Sequence, residues 1–379
     1  MKILSIYYTH KPGGFCKRLY QLLGSLAQNG HDVTYLCLDN PPEALSSQVQ
    51  VIIIPFPLRT RHGVAFWALY TLWGAIIVTF YAWKLRSERI AVFGAYYGAL
   101  CYPAQKLLTI PVILFIRSLV FKINRITLKP ALLCWCSDML ERFAIKKASS
   151  LVAMSNSMAN SLREFISEER QIKILPNNVP IAAQHQQELE QNLKALIAEK
   201  KAAGKILLLI SGVFDQRKNL TLVIDAFIEL TKIEPVHQIE LLVAGTGPEI
   251  SVAKARTKAA HLTCITFIGW VNSSEALLPL IDLLIHPSKH EGMPNSVLEA
   301  WGHGLPTLLA DIPELREMVS GEDLLFATHD IKPLLERLLN IHRNKQLELE
   351  KLTQATSRAQ KRLIFDWEQK ASQLVINSN

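Results

Sequence analysis

Two glutamates separated by seven residues, Glu291 and Glu299, are the most chemically suggestive pair in this sequence. Between them Gly292, Met293 and Pro294 shape a tight turn after the apolar run 283–286. Glu299 falls about one turn into the helix expected over 296–302. The backbone N–H groups of Asn295 and Ser296 then stand at a helix start, where amides lack intrahelical partners and attract anions. A carboxylate accepts hydrogen bonds from vicinal hydroxyls. One short segment therefore offers amides to a phosphate and carboxylates to a sugar or ribose.

Such loops need a scaffold, and the chain alternates strands with helices. Apolar runs of strand length occur at 2–7, 32–38, 51–55, 90–95, 111–116, 149–154 and 172–175. They resume at 205–211, 241–244, 265–268, 283–286 and 306–310. Leu19, Leu22, Leu23 and Leu26 share one helix face, as do Leu220, Val223, Ile224, Phe227 and Ile228. Ser274 can cap a further helix. Strand–helix–strand alternation predicts two open parallel sheets, each with ligand loops at its strand ends. The expected domains are 1–180 and 204–360. Residues 181–203 lack Phe, Trp and Tyr and read as a helical linker, and 361–379, with Trp367, read as a terminal helix.

A length of 379 residues suits two domains. With 49% hydrophobic and 20% charged residues, disordered, collagen-like and low-complexity chains are excluded. The net charge of +8 is unevenly shared. The first 180 residues carry 20 Lys and Arg against 9 Asp and Glu, the remainder 21 against 24. Six cysteines lack CxxC spacing, so no zinc or redox motif arises and a reducing compartment is expected. Residues 3–7 are too short for a signal h-region and read as a buried strand.

Residues 63–83 hold no charged side chain over 21 positions. Trp67, Tyr70, Trp73, Tyr81 and Trp83 are residue types favoured at headgroup level. Arg59, Arg61, Lys84, Arg86 and Arg89 flank the stretch, and 59–125 holds nine Lys and Arg against the single acid Glu88. A helix in contact with an anionic membrane face is the expectation. A full span and a buried core helix are the alternatives. No RNA- or DNA-binding motif is present, and the stretch is too apolar for one, so nucleic acid is not an expected partner.

The segment 287–318 resembles the family-four retaining glycosyltransferases of the GT-B fold. Their loose signature, EG-x-P-x-x-x-LEA-x-x-x-G-x-P, is met by Glu291–Pro294, then Leu298-Glu299-Ala300, then Gly304-Leu305-Pro306. Asp282, His286-Pro287-Ser288 and Glu314 also match. The run 211–219, SGVFDQRKN, resembles the basic loop of that family, with Arg217 and Lys218 in the phosphate-binding places. Val213 stands where many members carry Arg, a role Arg217 is then expected to take. Without the resemblance, the same run reads as a basic turn followed by a helix cap at Asn219. Gly212, Gly245, Gly247 and Gly269 match glycines near the nucleotide, and Gly13 and Gly14 the Gly-Gly loop beside the donor phosphates. Gly30-His31-Asp32-Val33 and Pro176-Asn177-Asn178-Val179 resemble two further segments, the latter with Asn178 in place of glycine. Trp367 resembles the tryptophan of a terminal helix that crosses back to the first domain.

The resemblance implies a GT-B α/β fold, two Rossmann-like domains facing across a cleft. It also implies metal-independent transfer of a hexose or N-acetylhexosamine from a nucleotide sugar, a UDP- or GDP-sugar, with no cofactor. Glu291 is expected to hold sugar hydroxyls and Glu299 the ribose, with Met293 shaping the sugar pocket. Many members carry a His after the strand equivalent to 111–116. Here Arg117 and Ser118 follow, so Arg117 is an expected acceptor or phosphate ligand and His10 a weaker candidate. The 59–125 segment points to a lipid-linked glycan acceptor at the cytoplasmic face of the cell membrane, as in bacterial polysaccharide or lipopolysaccharide assembly. A soluble transferase for a small acceptor and a non-catalytic GT-B subunit are the competing readings.

Overall fold

Each of the twelve apolar runs forms a strand, and all strands lie in two parallel sheets. The computed structural model describes residues 1–379 apart from 12–13, 42–44, 46, 125–129, 168, 181–188, 272–273 and 379. The chain divides into two units, Met1–Pro176 with Asp366–Asn379, and Asn177–Phe365.

The first unit holds β1 (Lys2–Ile6), β2 (Asp32–Cys37), β3 (Gln50–Ile53), β4 (Arg89–Phe93), β5 (Val112–Phe115), β6 (Ser150–Ala153) and β7 (Ile172–Ile174). Their spatial order is β3-β2-β1-β4-β5-β6-β7. Right-handed crossovers then fix the helices. The step from β1 to β2 goes one way and puts the helix Gly14–Gln28 on one face of the sheet. Steps from β3 to β4, β5 and β6 go the other way. They put the helices Val64–Lys84, Ala95–Leu100, Tyr102–Leu108 and Ala131–Lys147 on the opposite face. The terminal helix Trp367–Ile376 packs on Gly14–Gln28. Ser372 Oγ donates to Ser25 Oγ at 2.9 Å, and the Arg18 guanidinium lies 5.0 Å from the centre of the buried Trp367 ring.

The helix Val64–Lys84 buries Phe66, Tyr70, Gly74, Val78 and Ala82, one residue in four. Only 22% of its most apolar window is covered. A purely buried core helix is thereby overturned. It is long and apolar enough to cross a membrane, yet both its ends return to strands of one sheet.

The second unit holds β8 (Ile206–Val213), β9 (Ile239–Thr246), β10 (Ile265–Gly269), β11 (Leu283–His286), β12 (Thr307–Ala310) and β13 (Leu325–Phe326), in the order β10-β9-β8-β11-β12-β13. Residues 206–210 of β8 are buried throughout, as expected of a strand covered on both faces. The unit starts earlier than the sequence suggests. Asn177 Nδ2 donates to the Met293 carbonyl at 3.3 Å and to Asn295 Oδ1 at 3.2 Å, and Val179 N donates to the Leu363 carbonyl at 2.9 Å. These bonds tie residues 177–179 to the second unit. Of the expected linker 181–203, residues 181–188 lie outside the described residues. The helix Gln191–Ala202 belongs to the second unit and buries Ile197 against it.

Candidate active site

β8 and β11 are neighbours in the sheet, with Leu283 paired to Leu208 and Leu284 to Leu209. Strand order reverses between them, so the loops after both strands open into one crevice. The loop after β8 carries Lys218 and the loop after β11 carries Glu291. Residues 73 apart in sequence therefore meet: Lys218 Nζ lies 2.7 Å from Glu291 Oε1. A backbone bond fastens the two loops together, from Lys289 N to the Arg217 carbonyl at 2.8 Å.

His286, the buried last residue of β11, brings Nε2 to 3.2 Å from the same Glu291 oxygen and 3.2 Å from Ser288 Oγ. Burial, and next the Lys218 ammonium, lower the imidazole pKa below its usual 6.5. It is thus neutral at pH 7, and as the Nε2–H tautomer it donates to the carboxylate. Burial alone would push the Glu291 carboxyl up. Lys218 and His286 outweigh that and hold it well below the usual 4.5. Because the folded value is depressed, the stabilisation from this pair is present above the unfolded value of about 4.5 and lost as pH falls below it. Melting temperature should accordingly fall on acidification, and Glu291→Gln should flatten that acid limb. An unchanged limb in the variant would show that Glu291 does not feel this field.

Arg217 turns back on its own loop. Its Nε and Nη2 each lie 3.1 Å from Asp215 Oδ2. Asn219 does not cap the following helix with its side chain; it adopts a left-handed φ of 51° that turns the basic loop into the helix. Gly245 and Gly247 hold the neighbouring turn against this loop. A Cβ on Gly245 would stand 1.9 Å from the Gly212 carbonyl oxygen, and one on Gly247 2.4 Å from that of Phe214. Gly269 ends β10 with open space beside its Cα.

The helix Asn295–Gly302 begins at Pro294 without a side-chain cap. Its first amides, at Asn295 and Ser296, are the anion-attracting end expected from sequence. Gly292 shapes the approach, and Met293 is buried under it. Glu299 is half-buried on the helix. Glu314, in the short helix Pro313–Arg316, is buried with its Oε1 3.3 Å from His290 Nδ1. The carboxylate of Asp282 lies at the opposite edge of the sheet, where it accepts from Leu207 N at 2.7 Å.

The remaining expected residues belong to the first unit. Gly13 lies outside the described residues. Gly14 opens the helix Gly14–Gln28. His10 is exposed and bonds Tyr20 Oη through Nδ1 at 3.2 Å. Arg117 follows β5, with its guanidinium 5.5 Å from the Phe93 ring centre, and Ser118 beside it is exposed. Burial, and then the charge of Arg18, lower the Arg117 pKa to about 9.

Three contributors carry no assigned role in the sequence reading: His286 as donor to Glu291, Asp215 as partner of Arg217, and Asn177 as support for the turn at 293–295. His286 did leave a signal, a polar residue closing the buried run Leu-Leu-Ile. Asn177 lies in the family-like run Pro176-Asn177-Asn178-Val179, which marks it without showing its partner, and Asp215 left none, because its partner is set by the folded loop.

Two family models match the chain: glycosyl transferases group 1 over residues 204–344, and glycosyltransferase family 4 over residues 12–182. N-acetyl-alpha-D-glucosaminyl L-malate synthase of Bacillus anthracis is 29% identical over 181 residues, 46% of each chain. UDP-Gal:alpha-D-GlcNAc-diphosphoundecaprenol alpha-1,3-galactosyltransferase of Escherichia coli is 23% identical over 215 residues, 55% of each chain. The chain thus spans about half the length of these curated relatives. Sucrose-phosphate synthase from Thermosynechococcus elongatus superposes with a TM-score of 0.77 at 18% identity, over 98% of this chain and 97% of that one, a likeness of fold.

Proposed function

The chain belongs to the group 1 glycosyltransferases of the GT-B fold, and we propose that it moves a hexose or N-acetylhexosamine from a nucleotide sugar to a lipid-linked glycan with retention at the anomeric carbon. The observation that carries the reading is the pair of Lys218 with buried Glu291, four residues ahead of the uncapped helix start at Asn295. A cation and amides stand ready for a phosphate, and a carboxylate kept ionised stands ready for hydroxyls.

In this reading the bond from sugar C1 to the β-phosphate oxygen breaks, and negative charge grows on that phosphate. Lys218 and the Asn295 and Ser296 amides stabilise it in place, a preorganised electrostatic role. Arg217 joins them by exchanging Asp215 for the phosphate. The acceptor hydroxyl oxygen bonds to C1 on the face the phosphate leaves, and its proton passes to the departing phosphate oxygen. Glu291 orients the sugar hydroxyls, and Glu299 holds the ribose. Charge is balanced by residues of the chain, so transfer requires no metal ion. Arg117, a cation desolvated by burial, suits a phosphate on the acceptor side.

The UDP-sugar and diphosphoundecaprenol in the name of the Escherichia coli relative support a UDP-sugar donor and a lipid-linked acceptor. The exposed apolar helix Val64–Lys84 supports an acceptor that lies at an anionic membrane, the enzyme being peripheral on its cytoplasmic face.

A thermal-shift screen against nucleotide sugars, with and without EDTA, tests the reading. One donor should raise the melting temperature equally in EDTA, and Glu299→Ala should weaken that donor at least about tenfold, the scale of a lost charge-assisted hydrogen bond. A shift abolished by EDTA would refute metal independence. No shift with any nucleotide would favour a non-catalytic subunit.

A further inference from the structure

The helix Ala131–Lys147 faces the wrong way for a soluble protein. It buries Glu141, Ala144 and Ile145, while Leu132, Trp135, Met139 and Phe143 are exposed along one stripe. Trp135 is 61% exposed and Met139 51%. Glu141 is turned inward because its carboxylate accepts the backbone N–H groups of Val120 at 3.0 Å and Phe121 at 2.7 Å. That satisfied carboxylate fixes the rotation of the helix and leaves the apolar stripe outside. The same spacing recurs in the helix Val64–Lys84, where Leu69, Leu72, Ile76 and Phe80 are exposed, with Trp83 beyond them.

The two helices share one face of the first sheet, and the helix Tyr102–Leu108 bridges them. It packs on Val64–Lys84, its Tyr102 ring meets Phe143 edge-on at 4.9 Å, and its Leu107 is exposed. All three helices are crossovers of parallel strands, so their C-termini gather at one edge. Lys84, Lys106, Lys146 and Lys147 occupy those last turns, and Arg86 follows the first. At that edge Lys2, Asp32, Thr34, Lys84, Arg86 and Ser87 line a hollow of 250 Å³. The three helices contain two acids. Glu141 is buried, and Asp138 accepts from Asn124 Nδ2 at 2.8 Å. Along the apolar stripes a second copy would offer the lysines no exposed acid, and at the edge only Asp32 and Glu88, whereas an anionic bilayer supplies both hydrocarbon for the stripes and charge for the whole basic edge.

We infer that the three helices form one lipid-docking face, with Ala131–Lys147 inserting alongside Val64–Lys84 and the shared basic edge holding anionic headgroups. The inference rests on the membrane-associated acceptor proposed above and extends the contact to a helix outside 59–125. Binding is measured by sedimentation with vesicles of phosphatidylglycerol in an excess of phosphatidylethanolamine. The full chain should sediment. The pair Trp135→Glu with Met139→Glu, and separately Leu72→Glu with Ile76→Glu, should each weaken binding by about tenfold or more, with unchanged melting temperature because the positions are exposed. Lys146→Ala with Lys147→Ala should reduce it several-fold, and high salt should erase that difference. Retained binding in the 135/139 variant, with loss in the 72/76 variant, would overturn the three-helix face and leave membrane association standing. Failure of the unaltered chain to sediment would overturn both. A dimer in solution that both variants convert to monomer, without vesicle binding, would make a second copy the occupant and overturn the lipid assignment.

Discussion

Lys218→Met is expected to slow glycosyl transfer by about 10²–10³-fold, the loss typical of removing one preorganised donor from a developing anion. It should also destabilise the fold by about 3 kcal/mol, because Glu291 keeps a charge in a buried place without its cation. The two effects separate in the double variant with Glu291→Gln. The introduced side-chain amide can still accept from His286 through its oxygen, and no unpaired charge is left, so most of the stability should return while transfer stays lost. Chemical denaturation reads the first and initial rates with the matched donor read the second. A single variant that is less stable yet transfers at the original rate when folded would reduce the pair to a structural ion pair and sink the phosphate role of Lys218.

The second large effect belongs to Gly245. Its φ of 143° already disfavours a side chain, and an alanine Cβ would fall 1.9 Å from the Gly212 carbonyl oxygen and 3.0 Å from the Phe214 ring. Backbone cannot give way there. Phe214 N donates to the Thr246 carbonyl at 2.7 Å, and Glu249 N donates to the Phe214 carbonyl at 3.1 Å, so the turn and the basic loop are laced together. Strain and overpacking add, and Gly245→Ala should cost about 3 kcal/mol or more. The displaced loop carries Lys218, so donor affinity should fall with it. Gly269→Ala is the control. Its φ is 73° and nothing lies within 4 Å of its would-be Cβ, so the cost should be only the left-handed penalty of about 1–2 kcal/mol. Equal losses at the two glycines would refute the close approach as the cause.

The strands were legible because a strand buried on both faces must be apolar over its whole length, as at 206–210 and 90–93. The exception is β13, two residues that no periodicity can reveal. The local site was legible for a similar reason. A turn at Gly292–Pro294 and a helix start at Asn295 are decided within a few residues.

What the local sequence could not decide was which loops meet and which way helices face. Lys218 reaches Glu291 because β8 pairs with β11, a contact across 75 residues that depends on sheet order. Arg217 is expected on a phosphate, yet it stands on Asp215, two residues before it in the same loop, a pairing that the folded turn and not the sequence pattern sets. The stretch 63–83 announced a helix, but a continuous apolar run fits every environment. Only the packing of Phe66, Tyr70, Gly74, Val78 and Ala82 shows that one face is buried and the rest is not. The helix Ala131–Lys147 was not foreseen, since its apolar stripe points outward and its carboxylate inward, the reverse of the pattern that marks a core-facing helix. Composition and periodicity determined two parallel sheets and the residue types at their strand ends, because burial acts on each run separately. The tertiary structure decided the Lys218–His286–Glu291 cluster and the outward apolar faces, because both depend on neighbours that the chain brings together only when folded.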